Sequence, residues 1–487
     1  MALLEGLEIS VLKLSEAFMD NEKFRIDSEF FLKKYLSAYK KIKETPNTQL
    51  GKITSTLSDF SANGSYATIA ENFTLLDEVD YAYMVRSTDL EKSDFVNNVK
   101  YVSKHSYEFL DKSKLFGGEV LINKIGSPGR VYLMPNLNRP VSLGMNLFML
   151  RLNKKENISE KFLWTYLNTD FGQKIIKRKV NGTVPLTIDK VAVKSLYVPI
   201  FSQPLVELIE KFVVDSESKI SLSKELYIKA ENILLKEIGL LDKEFSQEGI
   251  NIKSFSKSFA LTGRFDAEYY QPKYEQVVKQ ITTQTYDTLT NIATIAKSIE
   301  PGSAYYDDEG LPFMRVADLS KEGLSEPQKF LNEYFVNENK EKIKDLKPKK
   351  GTILFSKDGS VGIAYHLRKN YKGITSGAIL HLNVKDESKI IPEYLTLALN
   401  SKLVQMQAER DSGGSIILHW RVAEIENVVV PIIDFNKQKE IADLIEQSFS
   451  LKKQSEHLLE VAKKAVEIAI EENEGKALEY IKTVTNA

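Results

Sequence analysis

Cysteine is absent from all 487 residues. Disulfides and thiolate metal sites are therefore excluded, and a reducing cytoplasm is the expected home. No stretch approaches the ~18 uninterrupted apolar residues of a membrane helix. The opening "MALLEGLEISVLK" carries Glu5 and Glu8 where a secretory signal would carry positive charge, and its apolar run is too short. Histidine is scarce: the five residues at 105, 366, 381, 419 and 457 are scattered, and no His-Glu-x-x-His pair occurs. A metal site is not expected from that pattern. There is no Walker-type phosphate loop and no glycine-rich cofactor fingerprint on a strand-to-helix turn. The Asp/Asn/Ser-Pro-Pro-aromatic tetrapeptide with which amino-methyltransferases hold a target base is also missing. Excess charge is missing too. Lys and Arg number 66 against 67 Asp and Glu, which leaves a formal net charge of −1. That balance argues against a whole-surface polyanion binder but leaves room for local basic patches.

What is present is repetition. "FRIDSEFFLKKY" from Phe24 and "GRFDAEYYQPKY" from Gly263 share Arg-x-Asp-x-Glu, two aromatics and a closing Lys-Tyr. Arg25, Asp27, Glu29 and Tyr35 thus match Arg264, Asp266, Glu268 and Tyr274. The acidic residues of this stretch lie at alternate positions beside an arginine, a pattern that suits a structural ion-pair and cap network better than catalysis. Further blocks follow in the same order. Glu5 onward resembles Glu248 onward, and "YMVRSTDL" resembles "FMRVADL", pairing Arg86 with Arg315. "GGEVLINKIGSPG" resembles "KGTILFSKDGSVG", pairing Lys124 with Lys357 and Ser127 with Ser360. "VNGTVPLTIDKVAVKSLYVPI" resembles "SGGSIILHWRVAEIENVVVPI". The offset stays between 229 and 243 residues. That period is far too long for a solenoid of short units, so the chain reads as two tandem copies of one domain with pseudo-twofold character.

Each copy runs into a long helical pattern. From Gln203 to Leu240, apolar or small residues recur at Leu205, Ile209, Phe212, Ser216, Ile220, Ser223, Tyr227, Ala230, Leu234 and Ile238. From Lys437 to about Ile481 they recur at Ile441, Leu444, Ser448, Leu451, Ser455, Leu459, Ala462, Val466 and Ala469. Spacings of three and four predict a coiled-coil seam. A helix of that length spans about 50 Å, so two of them packed antiparallel would hold two heads apart.

Between Leu50 and Ile200, and between Leu289 and Ile432, the sequence is strand-rich: "EVLINKI", "NLFMLRL", "TILFSK" and "AILHLNV" are short β-branched or aromatic runs. One helix interrupts the strands in each copy, from Ser159 and from Pro392. The fold class is therefore α/β in the α+β sense: each head is a mixed domain with a mostly antiparallel, curved sheet. The loops carry the functional hints. "NKIGSPGR" and "SKDGSVG" present Lys124, Ser127 and Arg130, and Lys357 and Ser360, on glycine-rich turns suited to phosphate contact, although a plain hairpin gives the same sequence. The basic end of the inner helix and its following loop offer Lys174, Lys177, Arg178, Lys179, Asn181 and Thr183. The second copy offers Arg410, Ser412, Ser415, His419 and Arg421 in the corresponding place. Arg and Asn are the side chains that read guanine and adenine edges, and a solvated charged face is the plainer alternative. Tyr66, Tyr305 and Tyr306 lie near glycine turns in a third region, and Arg86 and Arg315 complete the set. The loops differ between copies more than the strands do, as one scaffold reading two targets would.

The ordered set of "RFDAEYY…KY", "GTILFSKDGSVG", and "SGGS…VVVPI" leading into a long helix, repeated twice over nearly the whole chain, resembles the specificity subunit of type I restriction–modification systems. The resemblance implies target recognition domains at residues 1–202 and 243–435, and conserved spacer helices at 203–242 and 436–487. It implies reading of a bipartite site in double-stranded DNA, one block per head, across an unread spacer. Half-sites approached from one side of a duplex favour centres about 34 Å apart, comparable with what the helices span. It implies two methyltransferase subunits docked on the helices, restriction and translocase subunits beyond them, and no membrane. Catalysis would belong to those partners, with S-adenosylmethionine, ATP and magnesium bound there and no cofactor on this chain. A related phage-defence specificity protein, and a coiled-coil scaffold with two protein-binding heads, are the competing expectations.

Overall fold

The computed structural model describes residues 8–96, 98–153, 157–245, 250–413 and 417–485. It divides into two compact units. One comprises Met1–Ser218 with Gln454–Ala487, and the other Lys219–Lys453. Each unit is thus a head together with part of both long helices, so the division falls within the helices rather than at their ends.

In the first unit a four-stranded antiparallel sheet runs in the order Thr54–Asp59, Leu147–Leu152, Val120–Asn123, Val131–Leu133. A second sheet of five strands adds one parallel pair, Ala82–Val85 with Val141–Leu143. The short strands Asn47–Gln49 and Tyr197–Pro199 pair and bring the two ends of the head together. The second unit repeats this plan. Its main sheet runs Ala293–Lys297, Ile379–Val384, Ile353–Ser356, Ala364–His366. Its second sheet again holds one parallel pair, Leu311–Met314 with Ile374–Thr375, and Tyr286–Thr288 pairs with Val429–Pro431. All four residues of Val120–Asn123 and of Ile353–Ser356 are buried, as strands covered on both faces must be. The mixed α/β, mostly antiparallel architecture is as the sequence predicts.

Two helical expectations are corrected. The single inner helix of each head is two helices, Glu160–Leu167 and Asp170–Lys179 in one, Pro392–Asn400 and Lys402–Asp411 in the other. The cause is local. The Thr169 hydroxyl accepts a hydrogen bond from the Gly172 amide and caps a fresh helix. At the break Asn168 donates its side-chain amide to the Val131 carbonyl, and Asn400 does the same to Ala364, completing the outer strand of each main sheet. The final helix also stops early. It covers Phe435–Glu471 rather than continuing to Ile481, and Glu474–Thr485 begins anew because the Asn473 side chain accepts from the Lys476 amide.

The first long helix is Gln203–Glu237. In the first unit Leu205, Ile209 and Phe212 pack into one core with Val461, Ala462 and Val466. In the second unit Ala230, Leu234 and Ile238 share a core with Ile441, Leu444 and Ile445. Each unit contains one buried serine pair on this seam. Ser216 and Ser455 meet at 2.7 Å, and the Ser455 hydroxyl also lies 3.0 Å from the Ser216 carbonyl. Ser223 and Ser448 meet at 3.0 Å and likewise reach each other's backbone carbonyls. As one helix number rises by seven the other falls by seven, so the pairing is antiparallel. No helix among the described residues is long and apolar enough to cross a membrane.

Candidate nucleic-acid interface

The repeated Arg-x-Asp segment has a structural job. Arg25 grips Asp27 through two hydrogen bonds of 2.7 Å and donates to the carbonyls of Arg178 and Val180. Arg264 grips Asp266 in the same fork and donates to the Asp411 carbonyl. In both heads the segment therefore caps the carboxyl end of the second inner helix with a guanidinium. The chain repeats these residues because each inner helix needs its end fixed before the loop that follows.

That loop has the same closure twice. The backbone groups of Asn181 and Thr187 exchange hydrogen bonds of 2.9 and 2.8 Å, and those of Gly413 and His419 exchange 3.0 and 2.7 Å. Five residues are left between the closing pair in each head. The loop is then tied to the glycine-rich hairpin: Gly126 N donates to Leu186 O, and Gly359 N to Leu418 O. Ile188 N donates to Lys124 O, and Trp420 N to Lys357 O. The hairpin in turn is held from behind by a glutamine. Gln173 donates to the Gly129 and Leu167 carbonyls, and Gln405 donates to those of Gly362 and Leu399. Gly129 and Gly362 have positive φ of 89° and 82°. That backbone favours glycine, and a Cβ at Gly129 would also lie 2.4 Å from Ile176, while one at Gly362 would push on the Gln405 amide at 2.7 Å. The glutamines and the break asparagines were not singled out from sequence, although both recur at the repeat offset.

Several expected contact residues meet at this pair of loops. In the first head Ser127 and Thr183 are exposed, Asn181 is half-buried, and Lys177 is exposed on the last helical turn. Lys124 and Lys190 converge on Asp59 at 2.9 and 2.6 Å. Burial works to raise the Asp59 pKa, but the bonds from Lys190 and Lys124 outweigh it and hold the carboxyl below its usual range. In the second head Ser360 is exposed, and Lys357, Asp358, His419 and Arg421 line a cleft of about 420 Å³ with Lys297. Asp358 accepts from both Lys357 and His419, and Arg421 pairs with Glu424 at 2.5 Å. Ser412 is half-buried beside Arg410, and Ser415 lies outside the described residues.

Other expected contacts are committed elsewhere. Arg178 is only 2 % exposed: its guanidinium stacks on Phe30 and Tyr39 and donates to the Phe30 carbonyl. Lys179 is buried as well and donates to Asp20 and Glu22. Burial lowers the pKa of both groups. The reading of Arg178 and Lys179 as a solvent-facing basic patch is therefore corrected; they anchor the amino-terminal segment to the inner helix. Arg410 pairs with its neighbour Asp411 and lies over Tyr269, the same aromatic position of the repeat. Lys174 pairs with Asp170, Arg130 with Glu91, and Arg86 with Asp89 and the Asn98 carbonyl. Arg315 caps its turn through its backbone amide, which donates to Asp318. Tyr66 is 91 % exposed at a helix start, whereas Tyr305 packs on Phe335 and Tyr306 on Phe313.

Among the described residues one histidine–acid group stands close together, His366 with Glu393 and Glu446. Arg368 already neutralises it, donating to Glu446 at 2.9 Å while lying over Phe449. It is a charge network between sheet, inner helix and long helix.

Residues 272–461 match the family model of the type I restriction modification DNA specificity domain. Among curated proteins no sequence match is significant. Solved structures that resemble the chain include the type I restriction-modification system S subunit from M. genitalium, at 14 % identity over 86 % of this chain and 93 % of that one, TM-score 0.39. The HsdS subunit from Thermoanaerobacter tengcongensis matches at 13 % identity over 88 % and 96 %, TM-score 0.27. A structure concerned with assembly of a type I R-M system matches at 14 % over 87 % and 97 %, TM-score 0.28. The domain match makes the second head a DNA specificity domain, and the first head repeats its strands, caps and loop closures. The chain thus contains a type I restriction modification DNA specificity domain.

Proposed function

We propose that each head reads one short block of a bipartite duplex site through its pinned pair of loops. Supporting this is the duplicated closure described above, which fixes two loops against each other in both heads while leaving their exposed side chains different. Backbone and amide bonds set the position; Lys177, Ser127, Asn181 and Thr183 in one head, and Lys357, Ser360, His419 and Arg421 in the other, supply the contacts. Lysine and arginine give counterion-release affinity, and the hydroxyl and amide groups give base readout in the major groove. Tyr66 adds an exposed aromatic ring beside the first head's second sheet. The long helices carry the methyltransferase subunits, and restriction and translocase subunits join through them. This chain performs no catalysis; S-adenosylmethionine, ATP and magnesium serve the partners, in the cytoplasm. Affinity for duplex DNA measured against salt tests the reading. It should fall log-linearly with salt, with a slope of several units. Absent or salt-independent binding would favour the scaffold alternative.

A further inference from the structure

The five-residue loop of each head ends on exposed aliphatic side chains. Val184 and Leu186 are 92 % and 40 % exposed in the first head, and Ile417 and Leu418 are 55 % and 41 % exposed in the second. Leu186 and Leu418 are equivalent, since each gives its carbonyl to the same hairpin glycine, Gly126 or Gly359. A single exposed aliphatic residue is ordinary on a protein surface. Aliphatic tips at one position of two heads, each on a loop fixed by paired backbone bonds, are a built feature. Both lie against the hairpin: Leu186 and Leu418 bond the glycine that precedes an exposed serine, Ser127 or Ser360, and the exposed His419 directly follows Leu418. A protein surface that docked there would have to bury those polar groups as well. A base edge needs both chemistries, because thymine offers the major groove a methyl group beside an acceptor.

Resting on the reading that these loops contact DNA, we infer that the aliphatic tips are specificity determinants that pack against thymine C5-methyl groups in the major groove, one tip per block. The probe is a duplex carrying the sequence selected by the intact chain from random DNA, with each thymine replaced in turn by deoxyuridine, which lacks only the methyl. Loss of the methyl at one or more thymines in each block should weaken binding about fivefold. In the double variant Val184→Ser with Leu186→Ser, that penalty should vanish in one block and persist in the other. Its salt slope should match the unaltered chain's, since no cation is removed. Ile417→Ser with Leu418→Ser should give the converse. Indistinguishable binding of thymine and deoxyuridine at every position would overturn the inference, as would blocks without thymine. A rise in 2-aminopurine fluorescence at the block would overturn it too, by showing insertion between base pairs. In each of these cases salt-dependent, sequence-selective binding would stand, so the broader reading fails separately.

Discussion

The two heads solve one structural problem with the same side chains and one chemical problem with different ones. Gln173 and Gln405 brace equivalent hairpins, Asn168 and Asn400 finish equivalent strands, and Arg25 and Arg264 cap equivalent helices. Around the loops the chemistry diverges. Lys124 of the first head leans on Asp59, at the end of the sheet's edge strand two strands away, which it shares with Lys190. Lys357 of the second leans on Asp358, its own neighbour, which also holds His419. Duplication has kept the bonds that position backbone and released the groups that face outward. A scaffold that fixes position through the main chain can change its loop side chains without moving the loop.

The largest test of this division is at the shared seam. Leu234 is fully buried in the core of the second unit, and Leu234→Asp places a charge there. The expected cost is about 4 kcal/mol or more, read as a collapse of the second unit's denaturant midpoint. A midpoint within error of the parent's would show that the helix pairing carries little of the stability. Next come the hairpin glycines. Gly129→Ala and Gly362→Ala should each destabilise by about 2 kcal/mol, since both the left-handed backbone and the close neighbours oppose a Cβ. Equal effects at the two positions would confirm equivalent bracing; a neutral result at either would break the comparison.

A smaller difference separates the main sheets. His381 is buried and its pKa is pushed down to about 4, by burial, while it bonds the Thr375 hydroxyl at 2.9 Å. Met149 occupies the matching place in the first head, one residue after Phe148 as His381 follows Leu380. The unfolded chain protonates histidine near pH 6.5, so stability is complete above that pH and falls as pH drops toward 4. At pH 5 the loss is about 2 kcal/mol. Thermal unfolding at pH 7 and pH 5 should show it, and His381→Met should remove it. The smallest effect is at Lys177, exposed at the loop entrance: Lys177→Ala should flatten the salt slope of DNA binding by about one unit. The same substitution at buried Lys179 should lower stability instead, by loss of its bonds to Asp20 and Glu22. A flattened slope from Lys179→Ala would reverse the assignment of those two lysines.

Much of this was legible in sequence because repetition supplies an internal control. Blocks that recur at a nearly constant offset marked the heads, and the three–four spacing marked the seam. Every residue of that seam from Leu205 to Ile238 is buried or half-buried. What escaped was the direction of individual cations. "KRK" at residues 177–179 reads as one basic patch, yet on a helix successive residues point about 100° apart. Lys177 faces solvent while Arg178 and Lys179 turn onto Phe30, Tyr39, Asp20 and Glu22, partners more than 130 positions away. The helix breaks escaped for a related reason. Thr169 and Asn473 are ordinary polar residues in an apolar period until their side chains are seen capping backbone.

The central claim is that two equivalent heads read independently. It is tested most directly by sequencing the methylated sites of a host that expresses this chain with a methyltransferase subunit. The parallel host should carry the chain with residues 182–186 replaced by another five-residue loop sequence. The account predicts a two-block motif with a fixed gap, in which the loop replacement changes one block and leaves the other block and the gap intact. A continuous motif, or a change in both blocks, would contradict it.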